Sequence, residues 1–409
     1  MKKLLMFICC AVLLLVPALT SCSEEAADEL FVYNWGEYIS DGADDTLDVV
    51  AAFEEYYHEL TGRKIKVHYT TYPSNEDMYA KISSGTSKYD VIIPSDYMIE
   101  RMINEDLLLP VKLEETCEKY GAECYYSYIG ESYRGLYYDP TDTYSVPYTY
   151  GRVGIIYNKT MVDEADCNGW GLLWNEKYAG KILQFNNSRD GFATAQYKLG
   201  INVNSTDKAD WQKALDELLK QKSIVQSYVM DEIYNKMESG EAAISAYYAG
   251  DYFTMLDINE NLGFYYPENT NLFVDAMCIP KGSENTEIAA LFINFMLSPE
   301  PAIANAEYIY YASPNSLVFE DEGYIEDMGE EAMEILYPEG FNFAEELEKN
   351  AYRNLDSETL NLVSSLWEEL KITGGLPTGV YVTAGVLAVL IAGLIVSGVV
   401  VKKRREKWY

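Results

Sequence analysis

The chain has 409 residues, with 31 Lys and Arg against 65 Asp and Glu, giving a formal net charge of −34. That excess of acid excludes a nucleic-acid partner, since phosphates would meet a surface of their own sign, and it steers cations toward the protein. Disorder is argued against as well: 37 Tyr, 13 Phe and 6 Trp supply ample apolar surface for a packed core, and the length suffices for two lobes.

In chain order, Met1-Lys2-Lys3, an apolar run from Leu4 to Leu19 and then Leu19-Thr20-Ser21-Cys22 form a basic start, a hydrophobic stretch and a lipobox. They predict a removed lipoprotein signal peptide over residues 1–21, with Cys22 carrying the lipid. A strand over Phe31–Tyr33 leads into Tyr33-Asn34-Trp35-Gly36-Glu37-Tyr38. An acid among aromatics suits an organic cation, because the carboxylate pairs with an ammonium while ring faces attract its charge and pack its methylenes. Taken alone, the same cluster fits a plain strand end with aromatics at the surface.

Apolar positions at Leu47, Val50, Phe53, Tyr57 and Leu60 predict a helix over Asp44–Leu60, stopped by Thr61-Gly62. Ile65, Val67 and Tyr69 alternate as a strand, Glu76–Ser83 reads as a helix, and Asp90–Ile93 reads as a buried parallel strand ending at Pro94-Ser95. This alternation predicts a doubly wound α/β lobe, in which ligands sit at the carboxyl ends of the strands. Trp35, Glu37, Ser95 and Tyr97 all fall at such ends.

Cys117 and Cys124 flank Gly121, so a local disulfide is open to them, though an unbroken helix would hold them too far apart. Ser145–Gly151, with aromatics between Pro147 and Gly151, suits a crossing between lobes, followed by a strand over Val153–Tyr157. Further strands are expected at Lys181–Phe185 and Ala242–Tyr247, and helices at Gly191–Leu199, Asp210–Leu219 and Thr286–Leu297. After the linker Gly374-Gly375-Leu376-Pro377, the 22 uncharged residues Val380–Val401 are long enough to cross a bilayer, which predicts a transmembrane helix over 378–401. The basic residues that follow assign the tail, 402–409, to the cytoplasm and the main domain to the extracytoplasmic face of a bacterial plasma membrane.

Catalysis has little to stand on. The two histidines are His58, in a helical run, and His68, on the polar face of a strand, and no serine-hydrolase, zinc-protease or phosphate-loop motif is present. No enzyme activity, cofactor or metal is expected.

Five segments, in order, carry a resemblance: Tyr33–Tyr38, Thr70–Glu76, Tyr89–Ser95, Tyr144–Tyr148 and Trp367–Lys371. Over about residues 30–371 the chain resembles the solute-binding proteins of polyamine ABC transporters, which bind spermidine or putrescine. The resemblance implies the α/β, two-lobed periplasmic-binding-protein fold of type II, with crossing strands and the ligand clasped in the interlobe cleft. It implies lobe 1 from 29–149 and 275–319, and lobe 2 from 150–274 and 320–372. Carried over position by position, the ligand contacts are Trp35, Glu37, Tyr38, Ser95, Tyr97, Asn187, Asp190, Tyr248, Phe273, Asp275 and Tyr311. Asp251, in Tyr248-Ala249-Gly250-Asp251, resembles an acid of the putrescine-binding members. The chain departs from that pattern where Asn187 replaces an acid and where Tyr248 and Phe273 replace tryptophans. Arg353 falls near a family glutamine and reads as a surface or interlobe residue. The implied partners are a polyamine, an ABC permease and the membrane. A membrane-tethered sensor module, or a binding protein for another cargo such as thiamine or ferric iron, are the other readings.

Overall fold

The computed structural model describes residues 27–43 and 46–373. The lipobox at Cys22 and the Val380–Val401 run lie outside them. Among the described residues no helix is long and apolar enough to cross a membrane. The described residues divide into two compact units, those up to 151 with 273–345, and 152–272 with those from 346 on. In chain order the strands are β1 (Asp28–Trp35), β2 (Ile65–Tyr72), β3 (Val91–Ile92), β4 (Leu108–Leu109), β5 (Ser145–Asn158), β6 (Ile182–Phe185), β7 (Val225–Val229), β8 (Ile244–Tyr248), β9 (Leu262–Tyr265) and β10 (Leu272–Pro280).

In the first unit β1 pairs in parallel with β2 and with β3, and β10 runs antiparallel to β3 and β4. Leu30, Val32, Val91 and Ile92 are fully buried, as strands covered on both faces require. The helix Val49–Thr61 begins at Asp48, whose carboxylate accepts from the Ala51 amide at 2.9 Å, and ends at Gly62, whose φ of 73° suits glycine. Its expected start at Asp44 falls partly on residues 44 and 45, outside those described.

In the second unit β5 pairs antiparallel with β8 and β9, and β6 runs parallel to β7 and β8. The helices Ser188–Leu199, Lys208–Gln221 and Ser357–Ile372 pack through Phe192, Trp211, Leu215, Val363 and Leu366.

Several expectations are corrected. The crossing segment and the strand after it are one strand of 14 residues, β5, and the unit boundary falls inside it at Gly151. A side chain at Gly151 would place Cβ 2.7 Å from the Phe273 ring, so a close approach requires glycine there. Asp90 is not a strand residue. It is a buried tie, accepting from the Phe31 amide at 3.0 Å and the Ser283 hydroxyl at 2.7 Å. Residues 320–345, expected with the second lobe, cluster with the first unit. Tyr337 binds them there: its hydroxyl accepts from the Ser313 amide at 2.8 Å and lies 3.3 Å from the Tyr324 hydroxyl. Cys117, Cys124, Cys167 and Cys278 are all free thiols, and burial together with the neighbouring Cys124 pushes the Cys117 thiol up to about 12.

Candidate functional site

Two clusters of acid and tyrosine emerge, one in each unit. In the first unit β10 carries Asp275, 4% exposed, opposite Ser95 in an isolated antiparallel bridge. Tyr38, just past the end of β1, donates its hydroxyl proton to Asp275 Oδ2 at 2.6 Å. That proton being used, the Thr149 hydroxyl donates to the Tyr38 oxygen, also at 2.6 Å. Burial first, and the Asp275 charge second, raise the Tyr38 phenol well above its ordinary value, so it remains a donor.

The walls around this pair are aromatic. Tyr311 meets Tyr38 edge to face at 5.2 Å between centroids, Tyr148 does so at 5.7 Å, and Phe273 lies 6.1 Å from Tyr311. The Trp35 indole donates to the Ile93 carbonyl at 2.8 Å and tilts against Tyr72, whose hydroxyl donates to the same carbonyl at 2.6 Å. Ser95 is held by Asn75: its amide donates to Asn75 Oδ1 at 3.1 Å and its hydroxyl accepts from Nδ2 at 3.0 Å. Tyr97 donates to Glu76 at 3.0 Å. Glu37 is exposed beside the cluster with φ of 48°, a left-handed conformation uncommon for a side chain of its type.

In the second unit Asn187 caps the helix Ser188–Leu199, its Oδ1 accepting from the Asp190 amide at 2.8 Å. Asp190 Oδ2 accepts from Asn187 Nδ2 at 2.7 Å and from the Tyr248 hydroxyl at 2.8 Å, and Oδ1 accepts from the Tyr352 hydroxyl at 2.9 Å. Burial, then the Asp190 charge, raise both phenols well above the ordinary value. Arg189 places its guanidinium over the Tyr352 ring, 4.5 Å from the centroid. Asp251 sits in the first turn of the helix Ala249–Ile258 and accepts from the Tyr234 hydroxyl. Arg353 pairs with Glu348 at 3.2 Å.

Trp35, Tyr38, Ser95, Phe273, Asp275 and Tyr311 thus come together, with Glu37 at the rim and Tyr97 turned to Glu76. Asn187, Asp190 and Tyr248 come together in the other unit, where Asp251 opens a separate helix. Sequence reasoning left out Thr149, Tyr352 and Arg189 as members of these clusters. Thr149 had a signal in its place between two tyrosines of the crossing segment, whereas Tyr352 had none beyond its neighbour Arg353.

Two α/β units, each with a buried carboxylate held by tyrosine hydroxyls, are the architecture of a solute-binding protein. The chain belongs to the bacterial extracellular solute-binding protein family, whose pattern matches residues 48–330. It is 31% identical over 288 residues to the spermidine/putrescine-binding periplasmic protein of Escherichia coli, covering 70% of this chain and 77% of that one. It is 26% identical over 375 residues to the putrescine/cadaverine-binding protein of Pseudomonas aeruginosa, covering 88% and 99%. A solved structure described as a putative spermidine/putrescine ABC transporter from Listeria monocytogenes superposes with a TM-score of 0.73 at 33% identity, covering 85% of this chain and 99% of that one. The family consists of binding proteins that act outside the cytoplasm, not of enzymes.

Proposed function

We propose that the chain captures linear polyamines, spermidine or putrescine, outside the cytoplasm and delivers them to an ABC permease. The buried Asp275 carries this reading. It is oriented by the Tyr38 hydroxyl at 2.6 Å and walled by Tyr148, Tyr311 and Phe273, a setting that pairs an ammonium with a carboxylate and its methylenes with rings. Trp35, Glu37, Ser95 and Tyr97 are the further candidate contacts in the first unit, and Asn187, Asp190, Tyr248 and Asp251 are the candidates in the second. Calorimetric titration of the full chain with putrescine, cadaverine, spermidine, spermine and thiamine tests the reading. Heat from the polyamines alone supports it, and saturable binding of thiamine in their place refutes it.

The protein is tethered twice, by lipid on Cys22 and by the Val380–Val401 span with its basic tail. Cys22→Ala removes acylation and leaves the protein in the membrane fraction; release of that variant into the medium would count against the span.

A further inference from the structure

Cys117 and Cys124 belong to neither acid and tyrosine cluster, and the unbroken helix that would have kept them apart is absent. The helix that carries Cys117, Leu113–Tyr120, ends at Gly121, whose φ of 69° turns the chain back. The Ala122 amide donates to the Cys117 carbonyl at 2.9 Å and the Gly121 amide to that of Glu118 at 3.3 Å, so the reversal is complete within two residues of the helix end. The fully buried Asn294, on the helix Thr286–Met296, then grips the chain on both sides of Cys124. Its Nδ2 donates to the Glu123 carbonyl at 2.8 Å and its Oδ1 accepts from the Tyr125 amide at 2.9 Å.

This return sets the two thiols side by side, and after burial it is Cys124 that acts most on the Cys117 proton. Their exposure differs. Cys117 is 2% exposed and Cys124 half-buried, so a reagent reaches Cys124 while Cys117 is reached from its neighbour. The other described thiols are turned to carbonyls of their own segments, Cys167 to Asp163 at 3.8 Å and Cys278 to Ala276 at 3.6 Å.

We propose that Cys117 and Cys124 are a dithiol pair that an external disulfide oxidises to a local disulfide, locking residues 117–124 beside the helix Thr286–Met296. The family acts outside the cytoplasm, where protein disulfides form and persist. The exchange takes two steps. The Cys124 thiolate attacks one sulfur of the external disulfide, forming a mixed disulfide and releasing the first reagent thiolate. The Cys117 thiolate then attacks the Cys124 sulfur, closing the bond and releasing the second. The two cysteines are oxidised, the reagent is reduced, and the two protons end on its thiols. Closing the ring removes freedom from the unfolded chain, so the oxidised form is the more stable one. None of these residues is among those proposed to meet the ligand, so the inference stands or falls without the polyamine reading.

Trypsin cuts after Lys112, Lys119 and Arg134, so the bond would join the peptides Leu113–Lys119 and Tyr120–Arg134 at a mass two hydrogens below their sum. The test is incubation of the full chain, in non-ionic detergent, with excess oxidised glutathione or with dithiothreitol, followed by acid quench, alkylation, digestion and mass spectrometry, beside thermal melting. The oxidised wild type should give the joined peptides and melt about 5 °C above its reduced form. Cys117→Ser should stop at a glutathione adduct on Cys124, and both Cys117→Ser and Cys124→Ser should lose the joined peptides and the rise. Comparing the oxidised and reduced forms of one variant cancels any stability that the substitution itself removes. A folded wild type whose two thiols stay open to alkylation, or which stops at the Cys124 adduct, would overturn the inference. So would a bond from either cysteine to Cys167 or Cys278, or a closed bond that brings no rise in melting temperature.

Discussion

Replacing Asp275 by Asn separates charge from shape at the point where the proposed ligand is read. The side chain is 4% exposed and accepts the Tyr38 hydroxyl at 2.6 Å. Asparagine has the same volume and an oxygen that still accepts from Tyr38, so the Thr149–Tyr38 chain persists and the fold is retained. What disappears is the negative charge. Stripping a buried ammonium of its partner costs about 2 to 5 kcal/mol, which is a loss of roughly 30-fold to several-thousand-fold in affinity. Isothermal titration of the full chain in non-ionic detergent with putrescine and spermidine reads this directly, with thermal melting as the control for folding. Because the contact is buried, the loss should change little between low and physiological salt. A folded Asp275→Asn variant that binds within threefold of wild type, a difference of about 0.7 kcal/mol, would refute the assignment of Asp275 as an ammonium partner.

Two further predictions concern the second unit's own stability. At Gly191, a Cβ would lie 2.7 Å from Cζ3 and 2.8 Å from Cη2 of Trp367. Gly191→Ala gains about 1 kcal/mol of helix propensity but overpacks the contact with the partly buried Trp367 ring at about 1 to 3 kcal/mol, so denaturant unfolding should show a net loss; a gain in stability would mean that Trp367 moves aside freely. Burial pushes the Glu217 carboxyl up, but Lys198 at 2.6 Å and Lys220 at 2.8 Å more than offset it and hold it below the usual range. A depressed folded pKa contributes stability above the unfolded value and loses it as the pH falls through the folded one. Glu217→Gln should therefore cost about 1 to 3 kcal/mol at neutral pH, with the gap from wild type closing below about pH 4 in denaturant titrations. A gap independent of pH would show that the ion pairs contribute nothing.

What the sequence by itself determined is the part of the structure that is local or periodic. The alternation of Ile65, Val67 and Tyr69, the run through Ile93, and the helix closed by Gly62 all lie within a few residues of their cause, and they yielded the α/β class and most element positions. The motif at Tyr33–Tyr38 was legible for the same reason, since an acid among aromatics can be read without a partner. Only the tertiary structure decided which groups meet. Tyr38 finds Asp275 across 237 positions and Thr149 across 111, and Asp190 finds Tyr352 across 162. Such pairings are set by the winding of the strands and by the packing of a whole unit, and neither leaves a periodic trace in the chain. For the same reason the sequence could place Asp190 in a candidate site but not show that Asn187, Tyr248 and Tyr352 donate to it. Hydrogen-bond capacity is consumed in space, and the chain order of the groups does not record it.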